Sequence, residues 1–373
     1  MNIGIDIRAL GTKKLTGIGK YIFNAIENLL KIDKENQYYL FSSGLNKDLY
    51  TDLDFNQSNV NHIHVNIPNK LLNFSLLSGI NSGVCKKFFK RVDIFWMPNI
   101  NFCNFKKDYP VILTVHDLSF LHSREFYSLK RRYWHKFVNV ERLLNSATKI
   151  IAISENTKRD LMRFFPLEDN KISIINPGID HVVMEEHRAN LLLKDLNLPD
   201  KFFVYVGTLE PRKNIESIIK AFDIYHKEYP DIHLVVVGGK GWIYNKVLSK
   251  IKKRAFIHYL DYVASPVKDA LYFKSKALIW PSFYEGYGFP PLEAIAHKAP
   301  VIVSYKTSLP EVNKQQALYV DPYNVSDIYN NLKILTEDKE ILRQLKNSAK
   351  DFKIPQWSEQ AQKLLNLFNT YRK

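Results

Sequence analysis

Short apolar runs alternate with longer amphipathic stretches along the chain, and this alternation restricts the fold more than any other feature. In the first half, the apolar runs lie at 2–7, 38–43, 93–99, 111–117 and 149–154. In the second half, they lie at 201–207, 232–239, 256–263, 277–282 and 300–304. Strands that alternate with helices form parallel sheets with helices on their faces. The sequence therefore predicts an α/β fold with two parallel-sheet domains.

The turn sequence INPGID at 175–180 separates the two series of apolar runs. Because a chain of 373 residues fits two domains of moderate size, we expect an N-terminal domain at 1–180 and a C-terminal domain at 181–355. Ligands of open parallel sheets bind beyond the carboxyl ends of the strands, and two facing domains leave a cleft between them. The residues that follow each strand are therefore the candidate site residues.

The composition limits the partners and the compartment. The formal net charge of +15 favours anionic partners, but it does not distinguish phosphates from acidic lipids or nucleic acid. The two cysteines, Cys85 and Cys103, have neither disulfide nor metal spacing, which indicates a reducing compartment. The N-terminus lacks a secretory signal pattern, and no window approaches the roughly 18 apolar residues of a membrane span. We therefore expect a soluble, cytoplasmic protein.

Three strand-end segments give weak signals. Gly17 and Gly19 in TGIGKY would let the backbone approach a ligand, and the helix after them would offer N–H groups to an anion. A structural turn explains these two glycines equally well. In VHDL, His116 ends a strand of the first half, where an isolated histidine is more often structural. In LDYV, the segment that contains Val263 could contact a nucleotide base or only turn the chain.

The segment VYVGTLEPRKN at 204–214 gives a stronger signal. Gly207 ends a strand, and Arg212 and Lys213 follow at the start of the next predicted helix. Cations near a helix N-terminus oppose the helix dipole, so local stability does not explain them. A bound diphosphate would explain them, because it could accept hydrogen bonds from the fork of Arg212 and from the point charge of Lys213. The alternative is a solvated pair of basic residues.

The block PSFYEGYGFPPLEA at 281–294 holds two glutamates on either side of a glycine-rich bend. Pro291 suits the first turn of a helix, so we expect Glu293 near a helix start. There the dipole would favour its carboxylate, which could accept hydrogen bonds from a ribose diol. Glu285 would point into the cleft near the reacting group. In the purely structural alternative, Glu293 caps its helix and Glu285 lies on the surface.

The whole chain resembles the retaining glycosyltransferases of family 4 (group 1), which have the GT-B fold of two Rossmann-like domains facing across a cleft. The stretch EGYGFPPLE matches their E-x7-E motif. Further stretches agree in order along the chain, namely TGIGKY, TVHDLSFLH, IAISENTKRDL, NPGID, YVGTLEPRKNI, VVVGGKGW and SLPEV. The HDLSFLH and GKGW features look most like the mannosyltransferase branch. The C-terminal segment, about 356–373, is similar to the helix that completes the first domain in this family.

The resemblance implies a role for each candidate residue. Glu293 resembles the glutamate that binds the ribose hydroxyls, and Glu285 resembles the one that contacts the donor sugar. Arg212 and Lys213 look like the pair that neutralises the diphosphate, and His116 matches a histidine near the reacting sugar. The remaining donor-binding positions implied by the resemblance are Gly17, Gly19, Gly207, Val263, Gly286, Tyr287, Gly288 and Phe289.

The sequence departs from the pattern of this family at three positions. A glycine is common where Asp261 stands, before the valine that contacts the base. A small residue or cysteine followed by glycine usually occupies the places of His297 and Lys298. These departures bear on base recognition and not on the class of protein.

The resemblance implies transfer of a sugar, with mannose from GDP-mannose favoured, onto a lipid-linked or growing polysaccharide acceptor, as in O-antigen, lipopolysaccharide or capsule synthesis. It implies no metal cofactor. A UDP- or dTDP-linked glucose, N-acetylglucosamine or rhamnose is the alternative donor. Other classes are a basic nucleic-acid-binding protein, which only the charge supports, and a catalytically dead scaffold, against which the joint presence of the site residues argues.

Two basic-aromatic segments, CKKFFKR (85–91) and LKRRYWHK (129–136), could bring the protein to the inner face of a bacterial membrane. Lysine and aromatic residues at helical spacing can dock on an anionic lipid surface. A peripheral membrane contact of this kind would suit a polyprenyl-diphosphate-linked acceptor. The alternative is a pair of solvated helix faces whose aromatic residues belong to the core.

Overall fold

The computed structural model describes the chain except for residues 13–14, 52, 78–90, 104–108, 181, 243 and 373, and except for the side chains of Thr51 and Arg124. Cys85 and all of the CKKFFKR segment but its last residue lie outside the described residues. The chain divides into two compact units. Unit 1 comprises Met1–Gly178 and Pro355–Lys373, and unit 2 comprises Ile179–Ile354.

Each unit contains one parallel sheet. The strands of unit 1 are β1 (Asn2–Asp6), β2 (Gln37–Ser43), β3 (Val60–Val65), β4 (Ile94–Met97), β5 (Val111–Val115), β6 (Lys149–Ala152) and β7 (Ile172–Ile174). The strands of unit 2 are β8 (Phe202–Val206), β9 (His233–Val237), β10 (Ile257–Leu260), β11 (Leu278–Trp280), β12 (Val301–Ser304) and β13 (Ala317–Val320). The sheet orders are β3-β2-β1-β4-β5-β6-β7 and β10-β9-β8-β11-β12-β13. These two sheets confirm the predicted α/β fold.

Helices follow most strands of both sheets. Those that precede unit 2 are α1 (Gly17–Ile32), α2 (Asp48–Thr51), α3 (Asn69–Leu77), α4 (Ser119–His122), α5 (Leu129–Val138), α6 (Val140–Ser146) and α7 (Glu155–Phe164). Those of unit 2 are α8 (Glu186–Leu193), α9 (Ile215–Glu228), α10 (Asn245–Lys252), α11 (Ser265–Lys274), α12 (Phe289–Ala296), α13 (Leu309–Asn313), α14 (Val325–Glu337) and α15 (Lys339–Asp351). The last helix, α16 (Trp357–Asn369), belongs to unit 1.

Burial explains which strands the sequence reveals. β5 and β8 lie inside their sheets and have no exposed residue, so they read as continuous apolar runs. The sequence analysis did not predict β3, β7 and β13, and each of these strands lies at the edge of a sheet. β3 has the mixed sequence VNHIHV, and β7 has only three residues. The mixed sequence of β3 and the shortness of β7 weaken their sequence signals, whereas the edge strand β10 was predicted by the apolar run 256–263.

α1 begins at Gly17, whereas the sequence analysis expected a helix only after Gly17 and Gly19. The side chain of Thr16 accepts a hydrogen bond from Gly19 N at 3.3 Å and caps the helix. Gly17 and Gly19 therefore lie in the first helical turn and not in the loop in which the sequence analysis placed them.

The segment LKRRYWHK and the residues after it, which have continuous helical spacing over 129–145, form two helices, α5 and α6. Asn139 separates them because it adopts a left-handed conformation with a φ of 51°. Its side chain also accepts a hydrogen bond from Arg142 N at 3.1 Å, which caps the start of α6.

Candidate functional site

Four charged side chains form one buried cluster in unit 2. Lys213 Nζ lies 2.7 Å from Glu285 Oε1 and 2.8 Å from Glu285 Oε2. Arg212 donates to Glu285 Oε2 at 3.2 Å and to Glu210 Oε1 at 2.8 Å. The side chains of Arg212 and Lys213 are only 12% and 13% exposed, so they are not a solvated pair. Glu210 and Glu285 therefore compensate the charges of Arg212 and Lys213, so a bound diphosphate is not required to explain these two cations.

The charge states in this cluster follow from its burial and its ion pairs. Burial alone would raise the pKa of Glu285, but the nearby charges of Lys213 and Arg212 lower it below its ordinary value. Burial lowers the pKa of Lys213, and Arg212 adds to this effect, while Glu285 and Glu210 oppose it. Glu285 is therefore an ionised carboxylate held between two cations. Such a carboxylate is well placed to orient a ligand and poorly suited to attack one.

Hydrogen bonds from a neighbouring loop fix the backbone around Glu285. Glu285 N donates to Thr307 Oγ1 at 3.0 Å, and Ser308 Oγ donates to Glu285 O and Tyr287 O at 3.0 Å each. Gly288 follows with a φ of 105° and precedes the first residue of α12. Residues with a side chain rarely adopt this φ. The chain thus turns sharply from the buried Glu285 into α12.

Gly286, Tyr287 and Phe289 lie in the same turn between Glu285 and α12. Gly286 is buried between Glu285 and Tyr287, and Phe289 is the first residue of α12. Tyr287 is also buried, and its ring contacts that of Phe289 edge-on at 5.7 Å between centroids. The proposed donor-binding backbone from Gly286 to Phe289 is therefore a single, well-packed segment beside the charged cluster.

Glu293 lies in the second turn of α12, which begins at Phe289, and not at the helix start as the sequence analysis expected. The helix dipole therefore contributes little to its carboxylate, because that effect falls off beyond the first turn. Two side chains of α11 stabilise the Glu293 carboxylate instead. Lys268 Nζ lies 2.6 Å from Glu293 Oε1, and Tyr272 OH donates to Glu293 Oε2 at 3.0 Å. Burial raises the pKa of Tyr272, and Glu293 raises it further, so this hydroxyl stays a donor.

Gly207 follows β8 at a point where no side chain fits. A Cβ atom there would lie 2.5 Å from the ring of Trp280. Lys213 Nζ lies over the same ring, 4.8 Å from its centroid. Gly207 therefore allows Trp280 to pack beneath the ammonium of Lys213. This packing requires a glycine whether or not a ligand approaches Gly207.

The three departures from the family pattern have distinct surroundings. Asp261 is exposed after β10, and Val263 near it is half-buried against the core of unit 2. His297 is buried, and its ring stacks on that of Tyr272 at 6.2 Å between centroids. Lys298 has a φ of 59°, which favours glycine. The chain thus keeps the backbone that glycine would adopt there, with a lysine in its place.

In unit 1, the structure brings His116 next to α1. His116 Nε2 lies 2.7 Å from Pro98 O, so Nε2 carries the proton and Nδ1 is the acceptor of the neutral ring. Burial lowers the pKa of His116, which keeps the ring neutral near pH 7. The ring meets Tyr21 edge-on at 4.7 Å between centroids. Tyr21 lies on α1, four residues after Gly17. A Cβ atom added at Gly17 would meet no other atom within 4 Å.

The sequence analysis missed the side chains that hold the candidate residues in place. These supporting residues are Glu210, Asn214, Lys268, Tyr272, Thr307 and Ser308. The E of LEPRK and the S of SLPEV lay within quoted stretches and could have been considered. Lys268 and Tyr272 lie on α11 within ordinary helical sequence, and only the fold shows that they contact Glu293.

Among the described residues, no group of three or more His, Cys, Asp or Glu side chains could hold a metal ion. Within the same residues, no helix combines the length and apolar character needed to cross a bilayer.

Models of known protein families match most of the chain. Residues 15–182 match the model for Glycosyltransferase Family 4, and residues 189–352 match the model for Glycosyl transferases group 1. The chain is 30% identical to O-antigen chain mannosyltransferase B of Escherichia coli over 58% of each protein. It is 27% identical to O-antigen chain mannosyltransferase RfbU of Salmonella typhimurium over 56% of each. The chain thus spans little more than half the length of these curated relatives.

Solved structures share the architecture. Sucrose-phosphate synthase from Thermosynechococcus elongatus has a TM-score of 0.75 at 16% identity and covers 99% of this chain and 98% of its own. Anabaena HepE in complex with UDP-glucose has a TM-score of 0.72 at 15% identity and covers 99% and 100%. Two Rossmann-like parallel-sheet units with these neighbours define a GT-B fold. Together the two family matches span most of the chain, which therefore belongs to the family 4 and group 1 glycosyltransferases, and this confirms the resemblance found in its sequence.

Proposed function

We propose that the protein is a retaining glycosyltransferase that moves mannose from GDP-mannose onto a lipid-linked or growing polysaccharide acceptor. The observation that carries this proposal is the buried cluster in which Glu285 is held by Arg212 and Lys213. The O-antigen mannosyltransferase names of the relatives from Escherichia coli and Salmonella typhimurium favour the sugar and the acceptor class.

In the proposed donor complex, unit 2 binds the nucleotide sugar. Glu293 accepts hydrogen bonds from the ribose hydroxyls, and Lys268 and Tyr272 hold its carboxylate in position. Lys213 has three N–H donors, and Glu285 accepts from it with both oxygens at 2.7 and 2.8 Å. The remaining donor can turn to the diphosphate. Glu285 contacts the donor sugar and keeps both cations fixed, so they need little reorganisation when charge develops on the leaving group.

The transfer needs no protein nucleophile in this mechanism. The bond from C1 of the sugar to the diphosphate oxygen breaks, and the bond from C1 to the acceptor oxygen forms on the same face. The proton of the acceptor hydroxyl passes to the departing phosphate oxygen. Arg212 and Lys213 stabilise the developing charge of the diphosphate, a task that needs no metal ion. Neutral His116 accepts a hydrogen bond from a sugar hydroxyl through Nδ1.

A transfer assay tests this proposal. The protein is incubated with GDP-mannose and a mannose oligosaccharide on a hydrophobic aglycone, with and without EDTA, and the product is examined by mass and anomeric NMR. We expect an α-linked product that EDTA does not abolish, and a rate roughly 10²–10³-fold lower in Lys213→Ala. The matched control Lys363→Ala changes an exposed lysine of α16 and should keep the rate. A β-linked product contradicts retention, and transfer only from a UDP- or dTDP-sugar corrects the donor.

We also propose a peripheral contact between unit 1 and an anionic membrane, made by α5. Leu129, Tyr133 and Phe137 are spaced one helical turn apart and are 68%, 60% and 58% exposed. These three residues are therefore not part of the core, contrary to the alternative in which the aromatic residues of this segment are buried. Lys130 and Lys136 are exposed on the same helix, and this combination suits an interfacial helix.

Vesicle sedimentation tests the membrane contact. We expect the protein to sediment with phosphatidylglycerol vesicles but not with phosphatidylcholine vesicles. The double variant Tyr133→Ser/Phe137→Ser should lose most of this binding, whereas the control Leu191→Ser removes an exposed apolar residue of α8 in unit 2 and should keep it. Equal sedimentation of the wild type with both vesicles, or with neither, contradicts the proposal.

A further inference from the structure

A group of aromatic rings and one lysine, of which Tyr305 and Tyr323 are exposed, lies at the carboxyl ends of three strands of unit 2. We call it the tyrosine platform, and it consists of Phe283, Tyr305, Lys306 and Tyr323. Phe283 follows β11, Tyr305 and Lys306 follow β12, and Tyr323 follows β13. Lys306 Nζ lies 4.8 Å from the ring centroid of Tyr305 and 5.6 Å from that of Tyr323. The rings of Phe283 and Tyr323 lie 4.8 Å apart.

The loops of the tyrosine platform are bonded to the charged cluster. Phe283 N donates to Arg212 O at 3.0 Å. Asn214, which directly follows Lys213, is buried and donates through Nδ2 to Pro281 O at 2.9 Å and Pro322 O at 2.6 Å. One side chain thus joins the loops that carry Phe283 and Tyr323.

The third loop is held by Glu285. Thr307 follows Lys306 and has a φ of 58°, a left-handed conformation that residues with a side chain rarely adopt. Its Oγ1 accepts the hydrogen bond from Glu285 N. The contact between the two loops keeps this strained backbone in place, and strain of this kind is typical of functional sites.

Packing within unit 2 does not account for the two tyrosines. Tyr305 is 48% exposed and Tyr323 is 68% exposed, so both residues remain accessible to a ligand from solvent. Exposed aromatic rings that are grouped and fixed mark binding surfaces. The platform also lies away from the strand edge at which a base would bind. β10, which precedes Val263, is at the opposite end of the sheet order from β12 and β13. At the usual spacing of neighbouring strands, this separation is roughly 20 Å.

We propose that the tyrosine platform binds a sugar ring of the glycan acceptor, next to the ring that receives the transferred sugar. The C–H groups on one face of a pyranose are weakly positive and pack on the negative faces of tyrosine rings. The Lys306 ammonium donates hydrogen bonds to sugar hydroxyls, which are acceptors. This inference rests on the proposed function for naming the acceptor as a glycan and for choosing a mannose probe, and it places the bound sugar ring on unit 2.

Saturation-transfer NMR with α-mannotriose as the probe tests the inference by direct binding. We expect wild type to bind the probe and the double variant Tyr305→Ala/Tyr323→Ala to bind it about tenfold more weakly, since an aromatic contact contributes on the order of 1 kcal/mol. The matched variant Tyr305→Phe/Tyr323→Phe keeps both rings and should bind as wild type does. Thermal unfolding of all three proteins, without and with GDP-mannose, shows whether the fold and the donor site remain intact.

The outcomes separate the platform from the donor site. Loss of mannotriose binding in the alanine variant alone supports the platform, even if GDP-mannose stabilises none of the proteins, a result that would count against the proposed donor. Equal binding by wild type and the alanine variant, or no binding by wild type, overturns the inference. A phenylalanine variant that binds as weakly as the alanine variant also overturns it, because stacking would then not be the cause.

Discussion

At the scale of single residues, ion pairs and hydrogen bonds hold the two glutamates of the candidate site in position. Arg212 and Lys213 both pair with Glu285, and Glu293 is held by the ammonium of Lys268 and the hydroxyl of Tyr272. The sequence motif predicted both glutamates as site residues because their spacing is local. It could not predict Lys268 or Tyr272, because these residues meet Glu293 only after α11 packs beside α12.

Glu285→Gln removes a charge that compensates two buried cations. We expect the variant to lose roughly 3–5 kcal/mol of unfolding free energy, the usual cost of removing one partner of a buried pair. Urea unfolding of both proteins measures this difference. The control Glu216→Gln breaks a more exposed pair with Lys250 and should lose less than about 1 kcal/mol. Equal stability of Glu285→Gln and wild type would show that the cations do not depend on this carboxylate.

Lys298→Gly should stabilise the protein, although it removes a side chain. A left-handed conformation costs a residue such as lysine about 1–2 kcal/mol, whereas the extra flexibility of glycine costs roughly 0.5–1 kcal/mol. With the φ of 59° at Lys298, we expect a net gain of up to about 1.5 kcal/mol in urea unfolding. Lys298→Ala removes the same charge and keeps the strain, so it should bring no gain. A larger gain from alanine than from glycine would contradict this account.

His135 should make the fold less stable in acid. Burial lowers the pKa of His135 from 6.5 to about 4. Between these values the unfolded chain binds a proton that the folded chain does not, so the free energy of unfolding falls as the pH drops from about 6.5 towards 4. At pH 7 the full stability is present. Burial also lowers the pKa of His116, which acts in the same direction.

Thermal unfolding at pH 7 and pH 5 measures this effect. His135→Phe keeps a ring to stack on Phe120, which lies 4.0 Å from the imidazole, and should lose less stability between the two pH values than wild type does. The control His187→Asn changes an exposed histidine. If all three proteins lose the same stability, His135 is not the source of the acid sensitivity.

Among the elements, helix starts and edge strands were the features that the sequence defined least well. The apolar runs of the central strands predicted the sheets, because those strands are buried on both faces. The cap at Thr16 was not recognised, so Gly17 and Gly19 were assigned to a loop. The left-handed Asn139 divided a segment that has continuous helical spacing. Both errors come from local backbone geometry, which the spacing of apolar residues does not encode.

Thr16→Ala should weaken the start of α1. The variant loses the side-chain acceptor of the hydrogen bond from Gly19 N, which typically costs about 1 kcal/mol. Thr16→Ser keeps the acceptor and should stay close to wild type. Hydrogen exchange of the first amides of α1, together with urea unfolding, distinguishes the two variants. Equal protection in Thr16→Ala and wild type would mean that the cap contributes nothing.

At the scale of the whole molecule, the chain combines two units with different tasks in this account. Unit 2 carries the charged cluster, Glu293 and the tyrosine platform, and unit 1 carries His116 and the exposed face of α5. Both sheets could be predicted from the apolar runs of their buried strands, and the family could be predicted from the motifs at the strand ends. The tyrosine platform could not, since its three loops are distant in sequence and only the order of β11, β12 and β13 brings them together.

Donor-dependent thermal stabilisation tests the central claim most directly. Wild type, Glu293→Ala and the control Lys363→Ala are compared with GDP-mannose, UDP-glucose, UDP-N-acetylglucosamine and dTDP-rhamnose. A ligand at about 100 times its Kd should add roughly 2.7 kcal/mol of stability. We predict that GDP-mannose stabilises wild type and Lys363→Ala but not Glu293→Ala. If no nucleotide sugar stabilises wild type, or if Glu293→Ala responds as wild type does, the proposed donor site is wrong.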